Sequence, residues 1–436
     1  MTTLRRRKTR WFWALGVVGV FTLAGILASL PWCARRRASP PVLLRRGFAR
    51  GPLSAGAARV AVPLRFPLVL GGYTLPRPEV TSAPLPLEAR ALVLEVGTVS
   101  VGLVTLDILL MPEALAEEVR AGASGLGLSE VFVTVTHVHS SAGGYDPRLF
   151  AELGGTSRFR ADIHEALRAS MVRALTEAAK KVAPVALRRG AGDVDLTVSR
   201  RGVPGRDTRL DRFSFLGAAG VVGELDVFAA HATLAPRNSP VLDTDYVGRL
   251  ARLEWDAGHG VMVLLQGAEG NLAPRPSSRA EPLTATFAMD VSRALGSLEP
   301  TPLEPSLGFA RVTSTLPSPD ASRLLPRLAW RWGQNLLCEL GPSAATVSVL
   351  ELGGVRMVLV PGEPTYETAK ALETAARAVR TVALADGYLG YLEPAERVRA
   401  VQGESRMQYF GPALVEVLAR DAAAAGDALD AAKTRP

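Results

Sequence analysis

Aliphatic and β-branched runs at 91–96, 102–106, 131–136, 261–265 and 355–360 alternate with stretches of helical spacing at 112–121, 163–182 and 366–379. That alternation restricts the chain to layered α/β or mixed α+β architecture. Polar, potentially reactive side chains also appear repeatedly where an apolar run stops. Residues 103–106 lead to Asp107, and 131–136 lead to His137-Val138-His139. Residues 225–228 lead to His231, 261–265 lead to Gln266-Gly267-Ala268-Glu269-Gly270-Asn271, and 358–360 lead to Pro361-Gly362-Glu363. Where helices cover a sheet, ligands sit beyond the carboxyl ends of its strands. Five separated segments are therefore expected to converge on one crevice.

The chain has five histidines, His137, His139, His164, His231 and His259. In His137-Val138-His139 a period of two puts both imidazoles on one strand face. There they can chelate a divalent ion, divide ligation and proton transfer between them, or form a structural pair. The glycines of Ser140-Ser141-Ala142-Gly143-Gly144-Tyr145 allow backbone N–H groups to approach a ligand. His231 is a candidate ligand from a second element. Glu363 is either a carboxylate ligand or a favourable charge at a helix start. His164, beside Glu165 on an amphipathic stretch, is expected at the surface, and His259 in a turn. G-x-S-x-G, H-E-x-x-H and P-loop motifs are all missing, which weakens the chemistries they support.

Charge is distributed unevenly. Of the 50 Lys and Arg, eleven lie in residues 1–50, which hold no acidic residue. The remaining 386 residues therefore carry a slight negative excess, so nucleic acid is not an expected partner. Arg5, Arg6, Arg7, Lys8 and Arg10 precede an uncharged run at 11–30, long enough at about 1.5 Å per residue to cross a hydrocarbon core of about 30 Å. Trp11, Trp13 and Trp32 lie near its ends, and Arg35, Arg36 and Arg37 follow it. The bias of basic residues favours the N-terminus in the cytoplasm and the body on the extracytoplasmic side. A cleaved signal peptide is the competing reading, but no A-x-A site follows the run. The expected organisation is a membrane anchor at 1–33, an Arg-, Pro-, Ala- and Gly-rich linker at 34–57, a catalytic domain at 58–420 and an Ala-rich helical tail at 421–436. Two cysteines cannot form a disulfide framework, and Cys338 reads as a buried thiol.

A resemblance now becomes specific. Thr136-His137-Val138-His139-Ser140-Ser141-Ala142-Gly143-Gly144-Tyr145 is similar to the Thr-His-Thr-His-Ser-Gly-Pro-x-Gly-Tyr signature of the neutral/alkaline, non-lysosomal ceramidases. Further segments follow in that family's order. They are Ser199-Arg200-Arg201, Phe228-Ala229-Ala230-His231-Ala232-Thr233 with Asp243-Thr244-Asp245-Tyr246, the segment 266–271, Pro361-Gly362-Glu363, Gly387-Tyr388-Leu389-Gly390-Tyr391 and Tyr409-Phe410-Gly411-Pro412. The likeness spans roughly 55–420.

The resemblance implies a mixed α/β (α+β) single catalytic domain behind one N-terminal transmembrane helix, without the family's C-terminal immunoglobulin-like domain. It implies one Zn²⁺ per chain, held by His137, His231, Glu363 and a tyrosine, with Tyr391 chosen over Tyr388. It makes His139 the proton-transfer partner and Arg200 the group that polarises or positions substrate. Asp107, Gly143, Gly144, Tyr145, Asn271 and Ala273 fall where substrate contacts are expected. The implied activity is hydrolysis of an N-acyl bond in a ceramide-like lipid by a zinc-activated water. The departures concern substrate groups. The family's Gly-Asp-x-Ser-Pro-Asn is Gly270-Asn271-Leu272-Ala273-Pro274-Arg275 here, so a serine hydroxyl and a carboxylate are lost, and Ser199 replaces an Asn. Two further functional classes remain open. One is a catalytically silent envelope protein that binds a lipid or protein. The other is a metal hydrolase of another H-x-H fold, weakened because no Asp-His follows His139 closely.

Overall fold

The computed structural model describes residues 16–25, 36–72, 79–148, 151–320, 333–334, 337–338 and 341–434. Among these, two mixed sheets stack face to face. The larger has nine strands, and eight of them run in the order Val261–Gln266, Gly220–Phe228, Arg209–Gly217, Ala183–Asp193, Leu53–Ala61, Glu88–Val96, Val99–Leu106 and Glu130–Val135. The smaller has the order Val42–Arg50, Ser306–Thr315, Ala344–Leu352, Val355–Leu359 and Arg380–Val382. Alternation along each strand sends Phe213, Phe215 and Leu225 from one sheet against Leu307, Phe309 and Met357 from the other. Helices close the outer faces. Leu167, Met171 and Leu175 of Ala161–Ala179 pack on Ala91, Val93 and Val104. Leu418, Ala422 and Leu429 of Leu414–Lys433 pack on Val347, Val349 and Val358. The result is helix, sheet, sheet, helix.

Three parallel pairs place the site. Parallel neighbours need a crossover, usually helical, and each pair here has one. Glu113–Gly122 joins Val99–Leu106 to Glu130–Val135, Asp245–Asp256 joins Gly220–Phe228 to Val261–Gln266, and Tyr366–Ala376 joins Val355–Leu359 to Arg380–Val382. His137, His231 and Glu363 each lie just past the carboxyl end of a strand in one of these units.

The strand and helix expectations agree with these elements to within a few residues, whereas the expected linker does not. Val42–Arg50 and Leu53–Ala61, which lie largely within 34–57, are strands of the two sheets. Their small residues look like linker composition, but Ala55 and Ala57 are buried between the two sheets, while Gly56 and Ala58 on the opposite face let the Ala161–Ala179 helix approach closely. Most of the expected span at 11–30 lies outside the described residues. Residues 16–25 are helical, and among the described residues no helix is long and apolar enough to cross a membrane. The thiol expected at Cys338 is instead disulfide-bonded, and the sequence has one other cysteine, Cys33. Arg36 is fixed to the domain. Its backbone N–H donates to Ser318 Oγ (2.8 Å), its Nε to the Leu316 carbonyl (2.9 Å) and its Nη2 to the Pro317 and Pro342 carbonyls (3.2 Å each).

Beside the Asp245–Asp256 helix, Arg212 is enclosed by Asp226, Glu224 and Glu254 at 2.8–2.9 Å. Three carboxylates share one guanidinium, and burial, opposed by Arg212 and reinforced by Asp226, pushes Glu224 up to about 8. A carboxyl raised in the folded state contributes stability in its protonated form, and that contribution is lost as pH rises from the ordinary carboxylate range through about 8. Glu224→Gln should therefore show a smaller drop in melting temperature between pH 6 and pH 9 than the native protein. An unchanged drop would assign the pH dependence elsewhere.

Candidate metal and active site

The His137-Val138-His139 segment does not lie on a strand face. The strand ends at Val135, and His137 has a left-handed backbone, φ 62°. Such a conformation is unusual for a residue with a Cβ and clusters at functional sites. The turn directs His137 and His139 to one point that simple alternation would not reach. A bridge between Val138 and Ala232, with the His139 N–H donating to the Ala232 carbonyl (3.2 Å), brings His231 alongside. Glu363 and Tyr391 stand directly opposite each other in a short parallel ladder of Glu363–Pro364 with Tyr391–Leu392.

Each imidazole is fixed through its Nδ1. The partners are backbone carbonyls of Leu109 for His137 (2.7 Å), Gly72 for His139 (2.9 Å) and Glu269 for His231 (2.9 Å). A carbonyl only accepts, so each Nδ1 carries a hydrogen and each ring turns its Nε2 inward. Those atoms converge. His137 Nε2 is 3.3 Å from His139 Nε2 and 3.3 Å from Glu363 Oε2, and His231 Nε2 is 3.2 Å from Glu363 Oε2. The Tyr391 hydroxyl lies 3.0 Å from His231 Nε2, and Tyr388 donates to Glu363 Oε1 at 2.6 Å. Glu363 Oε2 is buried and has no hydrogen-bond partner.

Acceptors gathered around one point, with a buried orphaned carboxylate oxygen among them, are what a cation satisfies. His137, His139 and His231 have ring nitrogens within 4.8 Å of one another and could hold a metal ion. His137, His231, Glu363 and Tyr391 form an overlapping set with a harder oxygen donor. Nitrogen and oxygen donors of this kind suit zinc.

The electrostatics follow from burial. Burial, then His137 and His231, holds His139 well below the ordinary imidazole range. Burial is also the first cause that pushes His231 down to about 4, with His137 and Arg200 adding to it against the pull of Glu363. Burial would raise Glu363, but His137 and His231 outweigh it and hold the carboxyl well below its usual range. Tyr388 and Tyr391 are pushed well above the usual phenol range, first by burial and then by Glu363. Two glycines permit this packing. A Cβ on Gly72 (φ 80°) would lie 2.6 Å from His139 Cα, and one on Gly270 would lie 2.5 Å from the Glu363 carbonyl oxygen.

A cavity of about 170 Å³ leads to this cluster. His137, His139, Glu363, Tyr388 and Tyr391 line its inner end, and Leu109, Leu110, Leu389, Met407 and Phe410 supply apolar wall. Leu389 and Phe410 fall within the motif segments at 387–391 and 409–412, whereas no motif marks Leu109, Leu110 or Met407. Arg148, which also lines the cavity, is paired with Asp146 (2.5 Å).

The residues expected at substrate do not line it. Asp107 is buried in a forked pair with Arg90 (Nη1 to Oδ2, 3.0 Å) and accepts from Thr136 Oγ1 (3.0 Å). It thus braces the strand end that bears His137. The Tyr145 hydroxyl is bound to the Leu110 backbone at 3.1 and 3.2 Å. Gly143 and Gly144 pack against the backbone of Val69 and Thr156. Asn271 donates to Ser199 Oγ (3.2 Å) and the Gly205 carbonyl (3.0 Å) and accepts from the Tyr366 N–H (3.0 Å). Its amide is fully occupied in joining the 199–205 turn to a helix start. Ala273 sits in a two-stranded ladder opposite Val198. Arg200 pairs with Glu404 (3.1 Å), and its charge is felt by His231 and Tyr391. His164 is half-buried rather than at the surface, held by the Tyr145 carbonyl (2.8 Å) and Glu118 (2.7 Å). Sequence reasoning singled out no role for Glu269, which is wholly buried beside Glu363 with both carboxyl oxygens unpartnered and is raised well above its usual range by burial and then by Glu363.

No family model and no curated protein matches the chain. Among solved structures, the neutral ceramidase from Pseudomonas aeruginosa is similar with a TM-score of 0.73 at 17% identity, over 87% of this chain and 75% of that one. A ceramidase complexed with C2 gives the same values. The resemblance that motif order suggested is found again in three dimensions at an identity too low to carry it by sequence alone, and the chain has the fold of neutral ceramidase.

Proposed function

We propose that this protein is a membrane-tethered, zinc-dependent amide hydrolase that cleaves the N-acyl bond of a ceramide-like lipid on the extracytoplasmic side. The observation that carries the reading is the convergence of three imidazole Nε2 atoms and the orphaned Glu363 Oε2 at the end of an apolar cavity. The ceramidase fold supports the reaction class. The disulfide at Cys338 supports an oxidising compartment.

His137, His231, Glu363 and Tyr391 would hold the ion. When bound, zinc supplies Lewis acidity and lowers the pKa of water in its open position to about 7. The apolar wall takes the acyl chain and sets the amide carbonyl against the cluster. His139, neutral because it is buried, presents Nε2 as a base whose orientation the Gly72 carbonyl fixes. It accepts the proton of the attacking water and returns it to the amine nitrogen as the C–N bond breaks. The water oxygen joins the acyl carbon, so the products are a fatty acid and an amine. The Tyr388 phenol, kept protonated by its burial, donates to Glu363 Oε1 and so orients that carboxylate with Oε2 toward the cluster.

Ala273 is the point on which a silent binding protein would differ. In this mechanism no step needs a serine there, and the position lies in the ladder opposite Val198, outside the cavity lining. The native protein loaded with zinc is expected to hydrolyse some member of a panel of N-acyl lipids and N-acyl amino acids, with Ala273→Ser at a similar rate. A metal-loaded native protein inactive on the whole panel, and active only as Ala273→Ser, would overturn the reading in favour of a silent binding protein.

A further inference from the structure

The residues that follow the apolar run are bolted to the rim of the cavity. Arg36 places four hydrogen bonds on Leu316, Pro317, Ser318 and Pro342, and Pro342 itself lines the cavity. Ser39 continues the attachment. Its hydroxyl accepts from the Thr315 N–H (2.9 Å), and its carbonyl accepts from Arg420 (2.6 Å). Cys338, disulfide-bonded and adjacent to the cavity residue Leu337, ties the same rim; the sequence's one other cysteine, Cys33, lies three residues before Arg36. Only residues 31–35 separate the apolar run from Arg36. Fully extended, they reach about 17 Å.

We propose that the mouth of the cavity abuts the bilayer that holds the 11–30 segment and takes its N-acyl substrate directly from that leaflet. This rests on the reading of 11–30 as an anchor and of the site as an N-acyl lipid hydrolase. A tether this short, fixed at the rim, allows the body little freedom to turn the mouth away. The mouth suits a lipid surface, since Met407 is 39% exposed there and the exposed Arg406 stands beside it as a partner for headgroup phosphates. A long acyl chain then passes from hydrocarbon to the apolar wall without being extracted into water.

The test uses the full chain in phosphatidylcholine vesicles with tritiated acyl chains and needs no catalytic turnover. p-Benzoylphenylalanine replaces Met407, Arg406 or, as the control, Met289, which is 49% exposed and does not line the cavity. After irradiation, lipid adducts at 406 or 407 are expected to exceed those at 289 at least tenfold. Inserting twenty Gly and Ser residues between Leu30 and Pro31 should lower them several-fold. A chain that does not float with the vesicles removes the anchor and the proposal together. A chain that floats but yields equal adducts at all three positions, or adducts indifferent to the insertion, leaves the anchor standing and overturns the proposal.

Discussion

His137→Ala and His231→Ala are expected to purify with less than about a tenth of the metal of the native protein, which should carry close to one zinc per chain. The loss should also appear in stability. A ligand bound to the folded state alone, at about a hundred times its Kd, stabilises by about 2.7 kcal/mol. Adding zinc to the dialysed native protein should therefore raise its melting temperature by several degrees, and the same addition should leave both variants where they were. His259→Ala, at a 40% exposed turn position, should behave like the native chain. Full metal content in the His137/His231 double variant would remove the site from these residues. The effect is large because the ligands come from three separate β-α-β units. Only the folded chain assembles them, so binding free energy becomes folding free energy.

His139→Ala separates the two ligand sets that the geometry allows. If His139 carries protons, the variant should retain its zinc and its zinc-dependent melting shift while kcat falls by about 10²–10⁴. The three-histidine set predicts a different outcome, in which metal and activity disappear together. Metal analysis beside the rate decides between them, and loss of zinc in His139→Ala would transfer that residue from proton carrier to ligand. The first outcome is favoured by Glu363, whose buried Oε2 has no hydrogen-bond partner and lies 3.3 Å from His137 Nε2 and 3.2 Å from His231 Nε2, where it can complete a ligand set without His139.

Much of this site could be read along the chain because its polar residues follow apolar strands, and strand ends are visible in sequence. His137, His139, His231, Glu363 and Tyr391 were found that way or by motif order, and the structure gathers them. The positions that failed to reach the cavity share a different physics. Asp107, Tyr145 and Asn271 are polar residues beside the site whose hydrogen bonds are spent on backbone, on a buried Arg or on the hydroxyls of Thr136 and Ser199. A sequence shows that a polar side chain lies at a strand end, but it does not show which neighbour, distant in the chain, has already satisfied it. Leu53–Ala61 is hidden for a related reason, since its Gly56 and Ala58 answer to a helix that arrives about a hundred positions later. The left-handed turn at His137 leaves no trace in residue type, so alternation assigned the right residues to the wrong geometry.

The pairing of Val42–Arg50 with Ser306–Thr315 sets the timing of synthesis. The first strand of the smaller sheet is made early, yet its partner emerges about 270 residues later. At roughly 5–20 residues per second, that strand waits about 15–50 s on the ribosome or at the translocon with its edge unpaired. Its register cannot be tested until most of the domain exists. Val42, Leu43 and Leu44 remain exposed even in the finished molecule, so the waiting strand is also an adhesive one. A nascent chain stalled anywhere before residue 306 should engage holding chaperones through this segment, and release from them should coincide with completion of the second sheet.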